Sequence, residues 1–581
     1  MKTKINKIGR WLLCAAFFTL HSSLFISCSD FLDEHTPQGT LSDEQVKSPE
    51  NAEAMVVSAY AIFTTAEDIN SSFSMWNFDV RSDDAYKGGS GTSDGDVFHQ
   101  LEVQQGVLTT NWNINDMWVR LYNSISRVNS AIALLNESDY AMKHQRLAEM
   151  KFLRAYGHFL LKRLYKNIPF VIDENLTYDE YNTLSNTTYT NDEGWQQIIN
   201  DLTEAFNTLP KTQDDKGRPT KASAAAFLAK VYLYKAYHQD DANSHQVTSI
   251  NEADLQKVIE FTDPSLYVGY GLESDMHNNF RPEEQYENGK ESLWAIQYSR
   301  NDGSTYGNLN WSYGLIPPNI PGATDGGCDF YKPSRNLVNA YRTGADGLPL
   351  IDNFNAKNYD MTTDNADPRL FLTVGIPGLP YMFNKNYMME KTSIWSRSNG
   401  TYGYNVSLKQ NVDPALIDSY LIKGSYWASS MNRIVFRYAD VLLERAEAYA
   451  QMGKTTESIA LVNQIRSRAS GSTQMIAKYP TTYGVKLYIS GYNGSYTKED
   501  ALKIVKMERR LELGMECERF FDLVRWGDAA TVINKYYAEE IDACPIYKDA
   551  HFTADRDEYL PIPFSQISAS NGHYTQNIGN W

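Results

Sequence analysis

Cysteine is scarce: Cys14, Cys28, Cys328, Cys517 and Cys544 are the five in 581 residues. No two form a CxxC pair, which excludes a disulfide framework and a cysteine-bound zinc site. Positive charge is short as well, with 54 Lys and Arg against 71 Asp and Glu and a formal charge of -17. The first 27 residues hold Lys2, Lys4, Lys7 and Arg10 and no acid, so the remainder is more acidic still. Because phosphate binding runs on clustered Lys and Arg, nucleic acid is excluded as a partner. No stretch beyond the N-terminus reaches the roughly 18 apolar residues of a membrane-spanning helix. Low-complexity linkers are also missing, and with 42% hydrophobic and 22% charged residues the chain can bury a large core.

Catalytic signatures are missing too. Gly453-Lys454-Thr455 ends like a phosphate loop, but Ala448 stands where its first glycine belongs. Neither GxSxG nor HExxH occurs, and Gly89-Ser90-Gly91 lacks the glycine that opens the helix of a dinucleotide fingerprint. Ten histidines include no pair at ligand spacing on one helix. Asp83-Asp84 has the residue types of glycosidase carboxylates, a geometry that sequence does not fix, and a charged pair of this kind is expected at the solvated surface. Asp352 to Asp367 offers oxygen donors without the glycine and spacing of a calcium loop, so structural calcium has no support and no cofactor is expected.

What is present begins with an address. Lys2 to Arg10 form a basic n-region, Trp11 to Leu20 with Leu24 to Ile26 an apolar h-region, and Ser27 a small residue before Cys28. Residues 1–27 read as a lipoprotein signal peptide. A cysteine at this place resembles the bacterial lipobox, whose thiol is acylated and becomes the new N-terminus; Phe25 and Ile26 are bulkier than usual, as in the looser boxes of the Bacteroidetes.

Several segments carry the 3.6-residue period. Met150, Leu153, Gly157, Leu161 and Leu164 share a helix face that ends before Pro169, and Trp118, Leu121, Tyr122, Ile125, Val128, Ile132 and Leu135 draw a second stripe. Ala222, Ala225, Ala226, Ala229, Leu233 and Ala236 form a third behind Thr220, which is placed to cap the first N–H groups. Tyr438, Leu442, Ala446 and Tyr449, then Gly453, then Leu461, Val462, Ile465 and Ala469 predict two helices around a glycine turn, similar to a tetratricopeptide hairpin without a strict 34-residue repeat. Helical scaffold is expected over about 40–262 and 435–530. Between them, about 265–430 turns to Gly, Pro, Asn, Tyr and Trp, with one strand at Ser292 to Tyr298. An irregular stretch this long inside one domain is functional surface.

Tyrosine is the commonest aromatic, 39 beside 24 Phe and 11 Trp. Tyr and Trp pair an apolar face with a hydrogen-bond donor, which suits sugar rings. Trp311, Tyr313, Tyr331, Trp395, Tyr402 and Trp427 lie among Asn and Asp in the irregular region. Each alone reads as a loop anchor; the cluster reads as a binding surface.

Ordered motifs carry a resemblance to a known family. Cys28 to Asp33, Phe152 to Tyr156 with Ile168 to Val171, Gly217 to Lys221, Asp367 to Leu370, Arg437 to Leu443 with Ala446 to Ala448, Glu508 to Arg510, Arg519 to Gly527, Leu560 to Pro563 and Gln576-Asn577 resemble the SusD/RagB family of outer-membrane nutrient-binding lipoproteins. Lys166-Asn167 and Cys517 depart from it where glycine is commoner, away from the expected binding surface. The resemblance implies a mainly α fold, with 28–581 as a single SusD-like domain of four tetratricopeptide-like helix pairs cradling the irregular region. It implies a lipid anchor at Cys28, a cell-surface position and a TonB-dependent SusC-like β-barrel transporter as partner, with a glycan as cargo for polysaccharide utilization. Glu508, Arg509, Arg510, Asp522 and Arg525 are expected to pair between packed helices, and Arg369 and Trp294 to be structural.

No shared motif fixes the ligand contacts, so chemistry selects them: Trp76 with Asn77 and Asp79, Trp311 and Tyr313, and Trp395, Arg397 and Tyr402. The leading expectation is a non-catalytic glycan-binding lipoprotein. A peptide-binding RagB-like lipoprotein is the alternative, followed by a surface glycoside hydrolase and by a scaffold without a small ligand.

Overall fold

The computed structural model describes residues 47–64, 75–303, 307–324, 326–422 and 428–581. The signal peptide, Cys28 and Trp427 lie outside the described residues. Twelve helices of eight residues or more organise the described chain. Before the irregular region come α1 (Pro49–Ala61), α2 (Asp96–Val103), α3 (Trp112–Glu137), α4 (Lys143–Tyr165), α5 (Asn191–Thr208), α6 (Lys221–Ala236) and α7 (Glu252–Phe261). After it come α8 (Tyr438–Gln451), α9 (Thr455–Gly471), α10 (Lys498–Leu513), α11 (Arg519–Trp526) and α12 (Ala529–Glu540). The expected helices are all found, and the fold is mainly α.

From α3 to α10 every helix packs on the next, so eight helices form a continuous series of neighbours. The irregular region enters this series between α7 and α8, yet those two helices still touch. Local chemistry sets the ends of the helices. Thr220 accepts from the Ser223 amide while Ser223 returns a bond to the Thr220 amide, a reciprocal cap on α6. Gly453, at φ 74°, makes the turn between α8 and α9. Gly157 lets α4 lie against α3, because a Cβ there would come within 2.8 Å of Ile125 Cγ1.

Short strands tie the irregular region at both ends. β1 (Ala85–Gly88) pairs antiparallel with β3 (Phe330–Pro333), and β2 (Ser292–Ile296) pairs antiparallel with β4 (Arg433–Arg437), which runs directly into α8. Trp294 on β2 is buried and donates from Nε1 to the Gly217 carbonyl at 2.8 Å, the structural role expected of it.

The expected pairing between helices is more extensive than the motif suggested. Arg509 of α10 reaches Asp440 of α8 at 2.8 Å and Asp522 of α11 at 2.9 Å, and Arg525 of α11 reaches Glu447 of α8 at 3.0 Å. Arg369 holds Asp367, Glu508 and Glu512 at 2.7, 2.7 and 3.0 Å, all fully buried. Arg437 at the end of β4 joins Glu291 and Glu512 to the same network at 2.8 and 2.6 Å. Burial alone would raise the Glu512 carboxyl, but Arg468, Arg437 and Arg369 around it hold it well below the usual carboxylate range. Such a network specifies how helices meet more surely than it adds stability.

Asp83 and Asp84 correct the surface expectation. Both are buried, Asp84 at 2.7 Å from Arg510 Nε and Asp83 at 2.8 Å from Arg519 Nε. Burial opposes ionisation of Asp83, yet the two guanidiniums pull its carboxyl down to about 2. The family departures also find a physical account. Lys166 has φ 58° and Cys517 φ 65°, the left-handed region that glycine adopts without strain.

Candidate functional site

Strand β1 leads into a loop of residues 88–95 that closes on α2. Gly88 has φ 80°, and a Cβ there would collide with the Asp329 carbonyl just before β3, so only glycine lets the loop leave the β1–β3 pair at this angle. Asp94 Oδ2 accepts from the Ser90 amide and hydroxyl at 2.8 and 2.9 Å, which folds the loop back on itself. Arg397 comes to the same place from the later irregular region. Its amide donates to Asp329 Oδ2 at 3.0 Å, its Nη1 donates to the Cys328 carbonyl at 3.1 Å, and Nη1 lies 3.3 Å from Asp94 Oδ2. Both partners are open to solvent, 32% and 30% exposed.

An exposed aromatic connects to this loop through Phe98, which packs against Gly95. Asn111 caps α3 by accepting from the Asn113 and Ile114 amides, and Trp112 follows in the first turn. Its indole is 44% exposed and rests edge-on against Phe98 of α2, with centroids 6.0 Å apart. Leu108 and Phe564 are exposed nearby, joined by the Phe564 amide bonding the Thr109 carbonyl, and Ser565 and Gln566 both donate to Asn115. Rings with free faces, amides, a hydroxyl and an Asp–Arg pair make a surface able to stack on sugar C–H faces and to bond hydroxyls.

Of the residues selected from sequence, Arg397 alone lies in this arrangement. Trp76 is 2% exposed, its ring packed by Phe98, Phe330 and Tyr331 with centroids 5.6, 5.5 and 6.1 Å away, so it offers no face for stacking. Asn77 is buried and bonds Asn113 at 3.3 Å. Asp79 is buried, accepts from the Tyr331 hydroxyl at 2.5 Å, and is pushed up to about 7 by burial. Trp395 is buried in a small separate core against Tyr381, 5.6 Å between centroids. Tyr402 is buried and donates to Glu102 at 3.2 Å. These five are structural in place, because each side chain turns into a core beneath the loop that carries it.

Trp311 and Tyr313 are half-buried in a short helix capped by Asn310. Tyr313 and Trp76 border a partly open recess of about 50 Å³, which also meets Asn310, Tyr331, Arg433 and Cys517. That volume holds a few waters and not a sugar ring. Cys517 therefore lies at this recess, closer to the aromatic cluster than expected. Trp112 was missed by the sequence reading, although a signal existed: it falls off the buried stripe of α3 that begins at Ile114 and Trp118.

Among the described residues, no group of three or more His, Cys, Asp or Glu is arranged to hold a metal, and no helix is long and apolar enough to cross a membrane.

The chain is thus a stacked-helix scaffold that presents a polar and aromatic loop face. Residues 290–581 match the model of the SusD family, and residues 30–233 match a family described as starch-binding and associating with the outer membrane. The chain belongs to the SusD family. SusD-like protein P2 of Formosa agariphila is 26% identical over 573 residues, covering 95% of this chain and 97% of that one. A SusD superfamily protein of Bacteroides vulgatus superposes with a TM-score of 0.66 at 22% identity, covering 92% and 99% of the two chains. Surface glycan-binding protein A of Bacteroides thetaiotaomicron, solved with laminarihexaose, superposes with a TM-score of 0.63 at 19% identity over 91% and 99%. At these identities the structural likeness establishes the fold.

Proposed function

We propose that this chain is a non-catalytic glycan-binding lipoprotein of the cell surface, acylated at Cys28 and held on the outer membrane. The mature chain acts as one SusD-like domain that captures an oligosaccharide and passes it to a TonB-dependent SusC-like barrel. Capture takes place on the face formed by loop 88–95, Asp94, Arg397 and Trp112, and needs no cofactor. The observation that carries this reading is the exposed Trp112 indole, joined through Phe98 to the loop that carries the solvent-open Asp94–Arg397 pair. A sugar ring stacked on the indole would keep its hydroxyls within reach of such groups. Membership of the SusD family supports the role, and the laminarihexaose held by one structural relative makes β-glucans the first ligands to try.

Electrophoresis through gels containing laminarin, starch and other polysaccharides, followed by calorimetry on each glycan that retards the protein, tests the reading. Retardation without the appearance of reducing ends is the expected result. Binding of peptides with no retardation by any glycan would overturn it, and release of reducing ends would replace it with a hydrolase.

A further inference from the structure

Lys87, the third residue of β1, is buried with none of its surface exposed. A buried ammonium is costly unless it is paired or fully hydrogen-bonded. Lys87 has no carboxylate within ion-pair distance among the described residues. Its Nζ instead donates to three main-chain carbonyls of the loop that follows it: Gly88 at 2.9 Å, Gly91 at 2.8 Å and Asp94 at 2.5 Å. Three donors on one compact charge match three converging carbonyls, which a planar guanidinium or a single hydroxyl would not. The rings of Phe330 and Tyr402 cover the ammonium at 5.2 and 5.5 Å. The caged segment is the part of the face least able to order itself, since Gly88, Gly89, Gly91 and Gly95 all have positive φ and glycine loses the most freedom on folding. Asp94, whose carbonyl Lys87 holds, also carries the carboxylate that meets Ser90 and Arg397.

We propose that Lys87 is a positioning residue of the glycan-binding face: by gathering the carbonyls of Gly88, Gly91 and Asp94, its ammonium fixes loop 88–95 in the form that presents Asp94 and Arg397 to ligand. This rests on the reading of that face given above. Burial pulls the Lys87 ammonium down to about 8 while Glu102 and Asp94 oppose the shift. The cage is therefore complete at pH 7 and loses its charge as pH rises through about 8. The groups facing it are Asp94 of the loop, Asp96 and Glu102 of α2, and Arg397 and Tyr402 of the later region; on the paired strand Lys332 of β3 is held by Asp329, and His99 is bonded to Glu102. Burial moves the Tyr402 phenol and the nearby Cys328 thiol upward, away from this window.

The test combines calorimetry with the retarding glycan and amide hydrogen exchange on the intact protein and on Lys87→Met. The variant is expected to bind at least about tenfold more weakly at pH 7 and to exchange faster over 88–95 while other segments keep their protection. Wild-type affinity is expected to fall several-fold between pH 7 and 9, and that of the variant to stay flat. Unchanged affinity or unchanged exchange in Lys87→Met overturns the proposal. If the variant does not fold, the wild-type profile decides: constant affinity and constant 88–95 protection from pH 7 to 9 overturn it. Trp112→Ala and Arg397→Ala separate the two readings, because full binding by both rejects the face itself, whereas their weakening beside a normal Lys87→Met rejects the cage alone.

Discussion

Asp83 and Asp94 stand on either side of strand β1, and each meets an arginine from a distant part of the chain. Asp83 is buried between Arg510 and Arg519, while Asp94 shares a solvent-open contact with Arg397. The chemistry of the pair is the same and the consequence is opposite. Removed from water, Asp83 has both carboxylate oxygens committed to guanidiniums, so the group holds segments in place and offers nothing to a ligand. Left in water it is worth little to the fold and stays available for a ligand. The same contrast separates Trp76, enclosed by three rings, from Trp112, whose indole is open.

Breaking the buried side should cost most. Arg369→Ala would leave Asp367, Glu508 and Glu512 facing one another without their shared cation and is expected to lower stability by about 3–5 kcal/mol in urea unfolding. Arg397→Ala should shift the same transition by about 0.5 kcal/mol or less and act on glycan affinity instead. A comparable loss in both variants would break the comparison. Trp76→Ala, which empties a packed site, should destabilise by about 3–5 kcal/mol, measured the same way.

A smaller effect is expected where helices meet. Gly157→Leu would drive side-chain atoms into Ile125 on α3 and should cost about 1–3 kcal/mol, read as a lower midpoint in thermal or urea unfolding. Smaller again is Trp112→Ala. It should remove about 1 kcal/mol of glycan binding in calorimetry while the melting temperature stays nearly constant. A fallen melting temperature with intact binding would move Trp112 to the structural side.

A pH-dependent effect concerns Asp79. Its carboxyl titrates near 7 in the folded chain because burial disfavours the charge, against about 3.9 when unfolded. The folded state thus holds a proton that the unfolded state releases, so this group makes stability fall as pH rises from about 4 to 7 and adds no slope above that. Asp79→Asn should flatten that part of the stability profile relative to wild type. Parallel profiles for the two proteins would show that the Tyr331 hydroxyl and the Phe520 amide keep Asp79 charged.

Much of the scaffold was readable in advance, since a helix announces its buried face every three to four residues whatever its partner. The stripes of α3, α4, α6, α8 and α9 appear in their places, as do the Thr220 cap and the Gly453 turn. Arg509 and Arg525 pair between helices as their motif implied, whereas Arg510 reaches Asp83 and Asp84 in the turn before β1. The candidate face was poorly readable. Of eight chosen residues only Arg397 reaches it, while Trp112, Asp94 and Lys87 were passed over.

By itself the sequence determined the helical register, the caps and turns, and the acidic and aromatic stock from which a face could be made, because these depend on residues within a few positions of one another. Only the tertiary structure decided which aromatic is covered and which is open. Trp76 is enclosed because β1 pairs with β3 about 245 residues further along and brings Phe330 and Tyr331 over it. Solvent exposure is a property of what else packs nearby, and the contacts that set it here join segments that no local pattern connects.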